Sequence, residues 1–188
     1  MAAAWAFYKL SVNRDGCDII VRTESAVAII MAFKKYASTE NICEESGKFL
    51  IYLLEAMSNF TNYDNGIEPL LGKGTVECLN SILDDSSEVL KLGCYKQRIQ
   101  QLCLRALGNI AINHQGKQDT IDNQVILNAW RFLTSADFTD RFNASHVLMV
   151  CTIHLDGKKQ AVNWEDENGN PTIIQKLVER LSDKEQNL

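Results

Sequence analysis

Apolar positions along this chain recur at i, i+3, i+4 and i+7, the spacing of one helical face, and one stretch of that pattern occurs four times when a glycine is taken as the register mark. The marks close the segments Leu10–Gly16, Phe60–Gly66, Ile110–Gly116 and Cys151–Gly157, and the glycines stand 50, 50 and 41 residues apart. Thirteen residues before each glycine come Ala3, Leu53, Cys103 and Ala144, and ten before come Ala6, Ala56, Ala106 and Val147. Nine before come Phe7, Met57, Leu107 and Leu148, and six before come Leu10, Phe60, Ile110 and Cys151. These positions form a single apolar stripe. The small residue found in three of four copies at the tenth position implies close approach between helices. Polar residues gather between stripe and glycine, which reads as a helix C-terminus turning through a left-handed position that glycine takes without steric cost.

Reading forward, an apolar pair follows four and five residues after each glycine: Ile20-Val21, Leu70-Leu71, a weaker Thr120-Ile121, and Ala161-Val162. Second amphipathic segments follow at Ala26–Tyr36, Thr75–Leu83, Gln124–Leu133 and Thr172–Leu181, and loops at Ser38–Ser46, Asp84–Gly93, Thr134–Asp140 and Trp164–Pro171, where Ser, Asp, Asn, Gly and Pro concentrate. The unit is a long helix, a glycine turn, a short apolar helix, another helix and a polar loop. Units of about 1–45, 46–95, 96–138 and 139–182 make one domain, with 183–188 a frayed polar tail. No segment of useful length alternates apolar and polar, so the expected class is all-α, a helical solenoid.

Composition agrees. The 188 residues are 46% hydrophobic and 23% charged, with only two prolines and ten glycines, which excludes disordered and collagen-like classes. The longest apolar run, Ala26–Phe33, is eight residues, against the roughly 20 of a membrane span. A net charge of −5, with basic runs no longer than the pairs Lys34-Lys35 and Lys158-Lys159, argues against nucleic-acid or membrane partners, whose binding needs clustered basic charge. The opening Met1–Phe7 lacks the basic start of a signal peptide, so a cytoplasmic, reducing setting is expected, with the six cysteines as thiols.

The stretches Ala56-Met57-Ser58-Asn59-Phe60-Thr61 with Gly66, and Ala106-Leu107-Gly108-Asn109-Ile110-Ala111 with Gly116, resemble the armadillo-repeat family across nearly the whole chain. The resemblance implies a right-handed α-solenoid of about three and a half armadillo-like repeats, the N-terminal one truncated, acting as a non-enzymatic protein-binding scaffold. Within the family, Arg141-Phe142-Asn143-Ala144 leading to Asp156-Gly157-Lys158, preceded by Gln115-Gly116-Lys117 and Ile121-Asp122, is most similar to the radial spoke head 14 proteins of motile cilia. That implies a place on the cytoskeleton, in the ciliary axoneme, among the protein subunits of a large assembly. The alternative is a cytosolic or nuclear peptide receptor that binds extended segments in its concave groove.

In peptide-binding members of the family an asparagine at the position of Asn59 and Asn109 lies on the concave face and clamps a ligand backbone. One turn earlier stand Trp5, Glu55, Arg105 and His146, which share that face. Lys9 and Val150 hold the asparagine position in the outer copies, and tryptophan occurs only at Trp5, a departure from nuclear-signal receptors. An asparagine near a helix C-terminus equally serves neighbouring backbone groups. The first copy starts inside a third helix, so its face bearing Ala3, Ala6, Phe7 and Leu10 is expected to stack on a neighbour.

No motif for chemistry stands out. Gly72-Lys73-Gly74-Thr75 has the outline of a phosphate loop, but Gly66 is six residues before Gly72, where five are needed, and Gly follows Lys73. An EF-hand glycine at Gly169 would need an acid where Trp164 stands. No C-x-x-C pair occurs, Cys103 and Cys151 fall on the apolar stripe, and His146, Cys151 and His154 read as structural or surface residues. No catalytic residue, cofactor or metal site is assigned.

Overall fold

The computed structural model describes residues 1–38, 43–84, 87, 93–163, 173–175 and 178. Every regular element among them is helical. The chain opens with α1 (Ala2–Leu10), followed by α2 (Arg14–Arg22), α3 (Ser25–Ala37) and α4 (Glu44–Phe60). Next come α5 (Asp64–Ile67), which tightens into a 3-10 turn at Glu68–Leu70, and α6 (Thr75–Leu83). A 3-10 turn at Gly93–Tyr95 leads into α7 (Lys96–Ile110), then α8 (His114–Asp122) and α9 (Val125–Ala129), prolonged as 3-10 helix over Trp130–Thr134. Then come α10 (Phe138–Cys151) and α11 (Leu155–Asn163), and residues 173–175 and 178 are also helical. This is an α-solenoid in which α1, α4, α7 and α10 are the third helices of successive units and pack side by side in that order.

The sequence places α6 at its observed ends and α3 within a residue of its own. The segment expected at 124–133 is helical, but its second half is 3-10: Thr134 Oγ1 donates to Arg131 O (3.1 Å) and Arg131 Nη2 to Leu83 O (2.7 Å), tying the last turn to the preceding unit. Pro69, which has no N–H, accompanies the same change after α5. The loop expected over 134–140 is shorter, because Asp137 caps α10 by accepting from Thr139 N (2.7 Å) and Asp140 N (3.3 Å). The segment expected at 172–181, apart from 173–175 and 178, the acidic stretch 165–170 and the tail 183–188 lie outside the described residues.

The register glycines have a different role from the one their position suggests. Gly16, Gly66, Gly116 and Gly157 are each the third residue of the following helix, and none has a positive φ. What excludes a side chain is proximity. A Cβ would lie 1.7 Å from Leu10 O, 1.9 Å from Phe60 O, 2.2 Å from Ile110 O and 2.2 Å from Cys151 O, the carbonyls that close each third helix. The polar residues between stripe and glycine cap the new helix: Asn13 Oδ1 accepts from Gly16 N (2.8 Å), and Asn113 Oδ1 from Gln115 N (2.9 Å) and Gly116 N (3.3 Å). The left-handed position sits eight residues later, between the first and second helices of the unit, at Glu24 (φ 57°), Gly74 (φ 64°) and Gln124 (φ 55°).

The stripe forms the core. Leu53, Ala56, Met57, Phe60, Cys103, Ala106, Leu107, Ile110, Ala144, Val147, Leu148 and Cys151 are all at most 2% exposed. In the first copy the equivalents diverge: Ala3, Ala6 and Leu10 are exposed and Phe7 is half-buried against the core. The partners of the stripe are Ile20, Leu70, Thr120 and Ala161, the first residue of each forward pair, all buried. The buried Thr120 donates its hydroxyl to Gly116 O (2.7 Å).

Two substitutions separate close approach from left-handed backbone. Gly116→Ala should lower unfolding free energy by about 2–3 kcal/mol, the upper range for overpacking. Gln124→Gly should raise it by about 0.5 kcal/mol, since the left-handed cost to a side chain is partly offset by glycine's entropy. Urea unfolding of both variants measures this, and a neutral Gly116→Ala would contradict the steric account.

Candidate partner-binding face

The third helices carry the residues expected to line a groove. At the N-terminal end Trp5 is 49% exposed. Lys9 Nζ sits over its ring at 5.7 Å and over Tyr8 at 5.1 Å, while Tyr8 stacks on Tyr52 at 5.9 Å. Glu55 is half-buried and accepts from the guanidinium of Arg98, with Nε at 3.1 Å. Arg105 is half-buried and has no hydrogen bond or ion pair among the described residues. His146 is half-buried over Gly108, whose missing Cβ would fall 2.6 Å from its Nδ1. Burial holds the His146 imidazole below its ordinary value of 6.5.

Asn59 and Asn109 are turned toward the preceding unit. Asn109 is 6% exposed, and its Nδ2 donates to Ser58 O (3.2 Å), Thr61 Oγ1 (3.1 Å) and Asn62 Oδ1 (3.0 Å). Asn59 Nδ2 donates to Ser11 Oγ at 3.1 Å. The amide donors of both asparagines therefore bond across units, the structural role that stands beside the ligand clamp as an expectation. Each rung joins the residue seven before the glycine to the one five before the previous glycine. The pairs are Asn59 with Ser11 and Asn109 with Thr61; the third register pair, Val150 and Ala111, is apolar on both sides and buried. Ser58 Oγ to Leu102 O (3.3 Å) and Asn143 Nδ2 to Gln101 O (3.0 Å) bind the same helices. On the second helices, Asn128 Nδ2 donates to Asn80 Oδ1 (3.0 Å) and Asn80 Nδ2 to Asn123 O (2.8 Å).

Between α7 and α10 the face opens into a cavity of about 340 Å³ lined by Arg98, Leu102, Arg105, Thr139, Phe142 and Asn143, among others. Phe142 (60% exposed) stacks on Phe138 (70% exposed) with centroids 6.1 Å apart. Arg98, Phe138 and Phe142 are functional candidates that the sequence reading passed over. The signal was the register itself, which places Lys48, Arg98 and Thr139 eighteen residues before their glycines and Ile51, Gln101 and Phe142 fifteen before.

The stripe cysteines are absorbed by packing, whereas Cys43 and Cys94 are exposed. Cys103 and Cys151 are buried, and burial pushes the Cys151 thiol up to about 12; Cys78 is pushed up to about 11 for the same reason. All six cysteines are free thiols. Cys151 faces the core, whereas His154 lies at the surface beside Asp156 at 3.8 Å. Among the described residues no three His, Cys, Asp or Glu side chains gather as metal ligands, and no helix is long and apolar enough to cross a membrane. Gly72 and Gly74 have φ of +66° and +64°, and Lys73 Nζ donates to Pro69 O (2.8 Å), so this stretch is an interhelical turn.

No family model matches the chain, and no curated protein matches it. Solved structures do. An engineered protein superimposes with a TM-score of 0.73 at 19% identity, over 97% of this chain and 67% of that one. A designed armadillo repeat protein in complex with the peptide (KR)4 gives 0.60 at 16% identity, over 95% of this chain and 62% of that one. Another designed armadillo repeat protein gives 0.51 at 15% identity, over 97% and 86%. The chain thus spans about two thirds of the length of the first two. At these identities the likeness defines the fold, an armadillo-like repeat solenoid.

The asparagine rung is testable by a double-mutant cycle. Asn109→Ala should cost about 1–3 kcal/mol by leaving Thr61 and Asn62 short of a donor, whereas Thr61→Ala with Asn109→Val, which copies the Val150 and Ala111 rung, should recover much of that loss. Additive losses in urea unfolding would contradict the ladder. His146 has a depressed native pKa, so its contribution is fully present above about pH 6.5 and is lost as pH falls toward the native value. Wild type should therefore lose more stability than His146→Gln between pH 7.5 and 5; identical losses would contradict the burial account.

Proposed function

We propose that this chain is a non-enzymatic interaction scaffold that holds partner proteins along its third-helix face, as a structural subunit of the axonemal radial spoke in motile cilia. The carrying observation is the composition of that face. The third helices α1, α4, α7 and α10 offer the Trp5, Lys9 and Tyr8 shelf, the Glu55–Arg98 pair, Arg105 with no partner among the described residues, and the exposed Phe138–Phe142 pair. Aromatic and arginine side chains are the residue types that carry most binding energy at protein interfaces. The designed armadillo repeat protein solved in complex with (KR)4 supports peptide binding as a use of this fold.

The ciliary part rests on the sequence resemblance. Its residues fix α10: Arg141 Nη1 donates to Ser135 O (2.9 Å) and Ala136 O (2.8 Å), and Asn143 ties α10 to α7. The same reading puts a neighbouring helix on the N-terminal face, where Ala3, Ala6 and Leu10 are exposed although their counterparts in later units are buried. The test is fractionation of motile cilia followed by crosslinking mass spectrometry. The protein should sediment with demembranated axonemes and crosslink through Lys9 to another subunit. Recovery wholly in a soluble non-ciliary pool would remove the spoke assignment and favour a cytosolic or nuclear adaptor.

A further inference from the structure

The rungs between third helices change chemistry along the stack, and one of them holds half an ion pair. In the repeat register the residue eleven before a glycine corresponds to the residue eighteen before the next one. Between the second and third units this pair is Glu55 with Arg98, joined at 3.1 Å through Nε. Between the third and fourth units the equivalent pair is Arg105 and Thr139, which line the same cavity of about 340 Å³. Thr139 has no charge to offer. Arg105 is half-buried with no polar partner among the described residues, whereas Arg98 on the same cavity is balanced by Glu55. A guanidinium without a counter-charge among the described residues is one that an incoming carboxylate can pair. The opposite wall presents Phe142, 60% exposed, backed by Phe138.

Resting on the partner-binding reading of this face, the geometry points to an acidic protein segment as the occupant of the cavity between α7 and α10. One carboxylate takes the place of the missing acid against Arg105, and a bulky apolar side chain beside it lies on Phe142 and Phe138. The guanidinium fork accepts a carboxylate through two parallel hydrogen bonds, which fixes the position of the segment as well as attracting it. An anionic polymer or lipid surface fits less well. The chain carries −5 overall, Arg98 is already neutralised, and Asp137 is hydrogen-bonded to Gln101 on the cavity wall. The site balances one negative charge beside an apolar anchor.

The test is selection of a random twelve-residue peptide library, displayed on phage, against the full chain. The enriched sequence is then made as a labelled peptide for anisotropy titration. Enriched sequences should place Asp or Glu within a few residues of Phe, Trp or Leu. Binding should weaken about tenfold or more in Arg105→Glu, about threefold in Arg105→Lys and about fivefold in Phe142→Ala. Lys158→Glu, on α11, should leave it unchanged. Binding to Arg105→Glu should return when the peptide's acid is replaced by Lys, which separates charge pairing from a misfolded variant. Enrichment of basic peptides that Trp5→Ala or Glu55→Lys abolishes would keep the third-helix face and overturn the acidic occupant. Peptides that bind Arg105→Glu and Phe142→Ala as tightly as wild type, or no enrichment at all, would overturn both. Displacement of the peptide by heparin or phosphatidylserine vesicles at comparable concentration would reassign the site to polyanions and overturn the proposal.

Discussion

The architecture depends on one close approach repeated four times: the backbone of the first helix of each unit lies against the carbonyl that closes the third helix before it. A Cβ on Gly16, Gly66, Gly116 or Gly157 would lie 1.7–2.2 Å from that oxygen, so only glycine admits the corner. The corner recurs at the third residue of each following helix, four times along the chain. The apolar stripe upstream of each glycine then meets the buried residue four positions downstream of it. Corners repeated at the same register position turn a chain of amphipathic helices into a stack in which each unit buries its neighbour's face.

The stack is locked by polar rungs placed in the same register. Asn59 to Ser11 and Asn109 to Thr61 satisfy buried donors and acceptors across units, and where the asparagine becomes Val150 its register partner becomes Ala111. Paired change of this kind keeps a buried contact free of an unsatisfied group. The rung one turn earlier does not follow that discipline. Glu55 and Arg98 are matched, but the register partner of Arg105 is Thr139, and both line an open cavity with the exposed Phe142, which stacks on Phe138. Arg105, with no counter-charge among the described residues, is where an acidic ligand has something to add.

Much of this was legible in the sequence. The four-fold stripe located the third helices, the repeat length named the solenoid, and Cys103 and Cys151 fell in the core as their positions require. Glycine marks the register in the sequence but not its conformation, because a left-handed residue and a close-packed one leave the same letter. The true left-handed sites were obscured because two of them are Glu24 and Gln124. Asn59 and Asn109 were placed on the right helices, but whether an amide faces outward or into the previous unit depends on a hydroxyl about 48 residues away, which a single-copy reading does not reach. Arg98 and Phe142 escaped for the same reason, since their meaning lies in pairs across units.

Hydroxyl-radical footprinting of the full chain, free and bound to a partner segment, tests most directly that recognition occurs on the third-helix face. Phe138 and Phe142 on α10, exposed when free, should lose reactivity on binding, while Met31 and Tyr36 on α3, 61% and 40% exposed, should keep theirs. Protection of Met31 and Tyr36 with Phe138 and Phe142 unchanged would place recognition on the second helices and contradict the role assigned to the third-helix face.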